Sequence, residues 1–114
     1  VAGSSEVISD YVTEIGNAVM SELGSELRLD PDDVVVLDEY LGEGYGILNT
    51  DVTRAVRAVA QEEGLLLDPV YTGKAMVGLM DLVRSGKLGG EDIVFLHTGG
   101  TPALFPYREG LLSL

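Results

Sequence analysis

Apolar residues recur three or four positions apart in three stretches of the chain, which is the spacing of one helical face. The first stretch, residues 4–23, has serines at its start that can cap a helix and Gly24 to end it. The second stretch covers residues 49–63. Asn49 or Thr50 can cap it, and it ends before Gly64. The third, over residues 75–83, includes methionines at helical spacing that we predict to be core.

Two shorter apolar runs are predicted as strands. Residues 34–41 and 93–96 are rich in β-branched residues and are short enough for strands. A short helix is predicted to begin at Pro102. The order is helix, strand, loop, helix, helix, strand, loop, short helix, an α/β pattern whose connections are long enough for parallel strands.

Two buried strands are too few for an independent parallel sheet, which needs neighbouring strands and helices on both faces. We therefore expect residues 1–114 to be part of a longer polypeptide that supplies the missing strands. The start at Val1-Ala2-Gly3, without an initiator methionine, fits this expectation. No repeat or linker indicates a boundary inside the chain.

The charge and composition exclude several classes of function. The chain has 19 acidic and 7 basic residues and a formal net charge of −12, so nucleic acid is not an expected partner. Without cysteine it has no disulfide and no thiolate for catalysis or metal binding, and a lone histidine predicts no metal site. Its apolar runs are shorter than the roughly 20 residues of a membrane span, so we expect a soluble, cytoplasmic protein.

Three segments carry candidate chemistry: a loop with glycines on both sides of Tyr45, the run at 68–74, and the run at 97–102. Ligands of α/β sheets bind beyond the carboxyl ends of the strands. Because Tyr45 and Thr98 each follow a predicted strand, we expect them to share one pocket.

Each candidate also has a simpler structural interpretation. Tyr45 can be a packing residue in a turn, and His97 can be a hydrogen-bonded structural histidine. Lys74 can be a surface residue or a partner for a substrate carboxylate. Gly99-Gly100 could hold a phosphate, but it lacks the other glycines of a nucleotide-binding fingerprint. The residues alone predict an α/β segment with a small-molecule site.

Three motifs resemble one known family. LDPVYTGKAM at 67–76 and FLHTGGTPALF at 95–105 closely resemble the C-terminal signature of D-cysteine desulfhydrases and 1-aminocyclopropane-1-carboxylate deaminases. EGYG at 43–46 resembles the tyrosine loop that precedes this signature. The resemblance covers nearly the whole chain.

The resemblance implies a pyridoxal-phosphate enzyme of the tryptophan synthase β-like type, fold type II. Residues 1–114 would then be the C-terminal part of the larger cofactor-binding domain, a partial three-layer parallel-sheet domain. In this family the Schiff-base lysine and the phosphate-binding glycine loop lie upstream, and Lys74 matches a different lysine. The implied partners are a small amino-acid substrate, the N-terminal part of the same enzyme and a second copy in a homodimer.

The resemblance also implies residue roles. Tyr71 and Tyr45 match the two active-site tyrosines, and Tyr71 matches the one that lies against the cofactor ring or near the substrate. Thr72, Thr98 and Gly99 match cofactor-binding positions, with the two threonines beside the pyridine nitrogen. The deaminases have glutamate and leucine at these two positions, whereas the desulfhydrases have hydroxyl residues.

A carboxylate beside the pyridine nitrogen keeps it protonated and makes the ring a strong electron sink, whereas a hydroxyl withdraws less charge. Opening a cyclopropane requires the stronger sink, and expelling a thiolate requires less. The threonines therefore favour elimination of D-cysteine to pyruvate, hydrogen sulfide and ammonia. Deaminase activity and a non-catalytic structural fragment are the alternatives.

Overall fold

The computed structural model describes residues 4–90 and 92–113, and the chain divides into two compact units, Val1–Asp38 and Glu39–Leu114. The first three residues, which bear on the expectation about the start of the chain, lie outside the described residues.

The first unit is built on helix α1, Ser5–Glu22. The Ser4 hydroxyl caps it by accepting a hydrogen bond from the Val7 amide at 3.4 Å. Gly24 follows with a left-handed φ of 68°, a conformation that glycine adopts without a steric penalty. Both ends of the predicted first helix are therefore confirmed.

The segment after α1 is held by polar side chains of the helix. The Asn17 side chain bonds both the amide and the carbonyl of Leu29, at 2.8 and 3.0 Å, and the Ser9 hydroxyl donates to the Pro31 carbonyl at 2.8 Å. A short 3₁₀ turn, Pro31–Asp33, follows and begins with a capping box between Asp30 and Asp33. These bonds hold the segment against α1.

The second unit contains helices α2, Thr50–Glu63, and α3, Thr72–Arg84. Asn49 caps α2 through a 2.9 Å bond from the Val52 amide, and Gly64 ends it at a φ of 68°, as predicted. A 3₁₀ turn, Thr101–Ala103, leads into helix α4, Leu104–Leu112, which is longer than the predicted short helix. None of the described helices is both long and apolar enough to cross a membrane.

The core of the second unit lies between its three helices. Its buried residues come from α2, the loop after it and α4: Val52, Val56, Val59, Leu67 and Leu111. Met76 and Met80 of α3 pack against this cluster, which confirms the prediction that both are core residues.

The prediction of an α/β, partial three-layer parallel-sheet domain is wrong for this chain. Among the described residues none lies in a strand, and the runs at 34–41 and 93–96 have no regular ladder. Val94 is 91% exposed, so this run is not covered on both faces. A helix satisfies its backbone locally, but a strand exists only when another strand pairs with it. The apolar composition of the runs did not reveal that pairing was missing.

Candidate functional site

The two tyrosines predicted to be catalytic lie together. The hydroxyls of Tyr45 and Tyr71 are 2.6 Å apart, within hydrogen-bond distance, and their rings meet edge to face with centroids 5.8 Å apart. The side chains are 76% and 59% exposed, respectively. A packing aromatic would be covered, so the pair presents two polar hydroxyls at an open surface.

The hydrogen bond affects the titration of Tyr71. The bond to Tyr45 raises the pKa of Tyr71, and burial and the nearby Tyr45 and Asp68 add to this effect. The Tyr71 hydroxyl therefore stays protonated to higher pH than that of an ordinary tyrosine.

The loop that carries Tyr45 is held at both ends by side chains from helices. The Lys74 ammonium donates to the carbonyls of Leu41 and Gly44, the latter at 2.7 Å. The Tyr107 hydroxyl of α4 donates to the Gly46 carbonyl. These bonds hold the loop on both sides of Tyr45.

Lys74 is not a surface residue. It is 8% exposed, and its ammonium is engaged with the two loop carbonyls. The surface alternative from the sequence is wrong, because this lysine is buried against carbonyls about 30 residues earlier. Pairing with a substrate carboxylate stays a prediction.

Asp68 organises the segment that carries Tyr71. Its side chain is fully buried at 0% exposure, and its carboxylate accepts from the amides of Val70, Tyr71 and Thr72 at 2.7 to 2.9 Å. It also accepts from the Thr72 hydroxyl at 2.7 Å. Burial raises the pKa of Asp68, but these hydrogen bonds outweigh burial and lower the pKa below its usual value.

The Thr72 hydroxyl is hydrogen-bonded within the segment that Asp68 organises. Its hydroxyl donates to the Asp68 carboxylate and accepts from the Asp68 amide at 2.9 Å, and the residue is buried. The proton of this hydroxyl is therefore engaged within the loop. Contact between Thr72 and a cofactor stays a prediction.

The run at 97–100 is a tight turn beside Asp68. Gly99 and Gly100 have φ values of 96° and 91°, and a Cβ on Gly100 would lie 2.6 Å from the Asp68 carboxylate. The turn therefore contacts the residue that also bonds the Tyr71 amide. Thr98 is exposed. The sequence predicted a pocket shared by Tyr45 and Thr98, whereas the direct contact of Tyr45 is with Tyr71.

His97 has the structural role that was the alternative to a base. Its Nδ1 accepts from the Gly99 amide at 3.0 Å, and its Nε2 lies 3.1 Å from the Leu66 carbonyl. The tautomer with its proton on Nε2 satisfies both contacts. His97 thus joins the turn to the segment before Asp68.

A separate cleft of about 540 Å³ lies between α2 and α3. The Tyr40 hydroxyl donates to the Asp81 carboxylate there at 2.6 Å, and this bond, with lesser effects of burial and of the Asp81 and Glu39 charges, raises the pKa of Tyr40 to about 12. Neither Tyr45 nor Tyr71 lines this cleft. Its mixed charges do not form a recognisable ligand site.

We predict that Gly73→Ala destabilises the protein by about 1–3 kcal/mol through overpacking. In an open helix alanine would stabilise by up to about 1 kcal/mol. Here its Cβ would lie 2.6 Å from the Asp68 carbonyl oxygen and 2.9 Å from a Val56 methyl. The measurement is urea unfolding of the full-length protein. Gly89→Ala is the control, since its Cβ meets nothing within 4 Å, and an equal effect of both changes would contradict the prediction.

Two functional residues escaped the sequence analysis. Asp68 was included only as the first residue of the candidate run at 68–74 and was given no role of its own. Tyr107 carried no local signal, because its hydroxyl bonds a carbonyl 61 residues away along the chain. Only the fold shows that it belongs to the site.

Comparison with known proteins defines the class. The sequence profile of the family described as "Pyridoxal-phosphate dependent enzyme" matches residues 2–99, so the chain belongs to that family. The family depends on pyridoxal phosphate, which confirms the cofactor predicted from the motifs.

A solved structure of an "ACC deaminase homologue" is similar to this chain, with 39% sequence identity and a TM-score of 0.76. The match covers 94% of this chain and 31% of that structure's chain. The resemblance to the desulfhydrase and deaminase family is therefore confirmed. The chain spans about a third of the length of the protein that it matches.

The residues present fit one side of this cofactor. Tyr71 is an exposed aromatic residue and Thr98 an exposed hydroxyl residue, while Gly99 leaves open space where a side chain would stand. Lys74 is buried and engaged, so it is not free to hold the cofactor aldehyde.

Proposed function

We propose that the full-length protein carrying this chain is a lyase that converts D-cysteine and water into pyruvate, hydrogen sulfide and ammonia. In this reaction a proton leaves the α-carbon and the thiolate leaves the β-carbon. Bound pyridoxal phosphate supplies the electron sink for charge that develops at the α-carbon.

The observation that carries this proposal is the chemistry of the groups beside the expected ring position. Thr98 offers a hydroxyl, and the nearby Asp68 carboxylate is buried and already accepts four hydrogen bonds. Asp68 is therefore not available as an ionic partner for a ring nitrogen. A hydroxyl supports the weaker electron sink, which suffices for loss of a thiolate and disfavours opening of a cyclopropane.

The tyrosine pair is suited to proton transfer. Their two hydroxyls are in hydrogen-bond contact at an exposed surface, so the pair can offer a proton to a leaving thiolate or to the developing product. Thr98 would orient the ring through its hydroxyl. Lys74 and Tyr107 hold the loop that carries Tyr45, and Asp68 holds the segment that carries Tyr71.

Deamination of 1-aminocyclopropane-1-carboxylate is a second candidate, favoured by the 39% identity to an "ACC deaminase homologue". We further propose that this chain works together with the remaining part of the same enzyme. The enzyme is proposed to be a cytoplasmic homodimer. A purely structural role for these residues is the non-enzymatic alternative.

The test is to measure kcat/KM of the full-length protein for D-cysteine and for 1-aminocyclopropane-1-carboxylate side by side. We expect D-cysteine to be preferred by at least about tenfold, a difference of about 1.4 kcal/mol in transition-state binding. Thr98→Val should lower turnover of D-cysteine, because it removes the hydroxyl but keeps the shape. Preference for the cyclopropane substrate would establish the deaminase, and no turnover of either would leave the structural role.

A further inference from the structure

The Lys74 side chain connects the two halves of the tyrosine pair. Lys74 lies in the first turn of α3, three residues after Tyr71, and its ammonium donates to the carbonyls of Leu41 and Gly44. The Gly44 carbonyl directly precedes Tyr45 in the chain. The helix start that carries one tyrosine therefore also holds the loop that carries the other.

The position of Lys74 is unfavourable for a residue that only stabilises α3. A cation near a helix N-terminus opposes the helix dipole, and burying an ammonium costs solvation free energy. The two carbonyl bonds offset this cost only because the loop lies against the helix start. A methionine would fill the same space on an apolar helix face without either cost.

The segment around Lys74 is closely packed and hydrogen-bonded, so Lys74 and Tyr71 are held in fixed relative positions. Gly73 packs directly against the Asp68 carbonyl, whose oxygen accepts from the Gly73 amide at 2.7 Å. The Tyr71 amide is fixed by the Asp68 carboxylate at 2.7 Å. Tyr71 and Lys74 thus belong to the same tightly packed segment, residues 68–74.

We propose that Lys74 is a positioning residue of the enzyme: by holding the Gly44 carbonyl, it sets the Tyr45 hydroxyl against the Tyr71 hydroxyl. This inference rests on the proposed function in one respect, since it assumes that the tyrosine pair faces the substrate. In this role Lys74 acts through the loop of Tyr45 and not by contact with the substrate or the cofactor.

The experiment is a double-mutant cycle between Lys74 and Tyr45 in the full-length, cofactor-loaded enzyme. Lys74→Met removes the ammonium and keeps most of the side-chain volume. We expect it to lower kcat about 10- to 100-fold with little change in KM, because displacing a catalytic group by about 1 Å has effects of this size. In the Tyr45→Phe background the same change should lower kcat less than about twofold. Equal factors in both backgrounds would overturn the proposal, since Lys74 would then act independently of Tyr45.

A structural measurement separates this proposal from the proposed function. In the crystal structure of Lys74→Met we expect the hydroxyls of Tyr45 and Tyr71 to lie beyond hydrogen-bond distance, about 3.5 Å or more. If the 2.6 Å contact persists, Lys74 does not position the pair. This result is decisive even if the wild-type enzyme turns over neither substrate.

Lys87→Met is the matched control, because Lys87 is exposed and lies in the turn after α3. It removes the same charge and should leave both kcat and the tyrosine contact unchanged. If Lys74→Met does not fold, Lys74→Arg takes its place in the cycle, because it keeps the charge but cannot place one compact ammonium between two carbonyls. The same non-additivity with Tyr45→Phe is expected, and its absence overturns the proposal.

Discussion

Asp68→Asn is expected to destabilise the full-length protein by about 2–5 kcal/mol at neutral pH. The carboxylate accepts four hydrogen bonds in a fully buried position, two on each oxygen. An amide has one accepting oxygen, so its NH₂ group would face two donors whichever way it is turned. Those donors would be left buried without a partner.

The effect should depend on pH in one direction. The pKa of Asp68 is lowered in the folded protein, so its stabilising contribution is fully present above the ordinary aspartate pKa of about 3.9. It is lost as the pH falls through the folded value. The difference in unfolding free energy between wild type and Asp68→Asn should therefore be largest near neutral pH and become smaller below about pH 4.

Urea unfolding at a series of pH values measures this difference. Asp10→Asn is the control, because Asp10 is exposed on α1 and the substitution should change stability by less than about 0.5 kcal/mol. A loss for Asp68→Asn that stayed constant down to pH 3 would show that shape, and not the ionised carboxylate, holds this segment.

The sequence was sufficient where structure is determined locally. Asn49 and Gly64 fixed the two ends of α2 because a cap depends on residues within one turn of the helix. Met76 and Met80 were placed in the core by their spacing alone. No distant residue had to be known for these predictions.

The sequence failed where a residue depends on distant backbone. Residues 34–41 and 93–96 have strand-like composition, but composition does not show whether another strand pairs with them. Lys74 left two alternatives open, and the structure shows a third, because its partners are the carbonyls of Leu41 and Gly44. Tyr107 gave no signal at all.

The candidate site was predicted through family motifs more than through physics. The motifs indicated Tyr45 and Tyr71, and the structure brings their hydroxyls together. They also indicated Thr72, whose hydroxyl is engaged with Asp68. A motif shows which residues occur together, but it does not distinguish a residue that meets the ligand from one that holds the loop.

Removing either hydroxyl of the tyrosine pair is expected to lower kcat for D-cysteine by about 10²-fold, the lower end of the range for acid–base catalysis. Tyr45→Phe and Tyr71→Phe each keep the ring, so folding and cofactor retention should change little. Because the two hydroxyls are hydrogen-bonded and would act as a unit, the double variant should be about as slow as the slower single variant.

The pH dependence of kcat gives an independent signature of the pair. The bond to Tyr45 raises the pKa of Tyr71, so Tyr71 remains a proton donor beyond the ordinary tyrosine pKa of about 10. Without the Tyr45 hydroxyl this pKa should fall, and the alkaline decline in kcat of Tyr45→Phe should move to lower pH than in wild type. Tyr11→Phe is the control, since Tyr11 is exposed on α1. If Tyr71→Phe has wild-type kcat and an unchanged pH profile, Tyr71 contributes only its ring, and the leaving group must receive its proton from elsewhere.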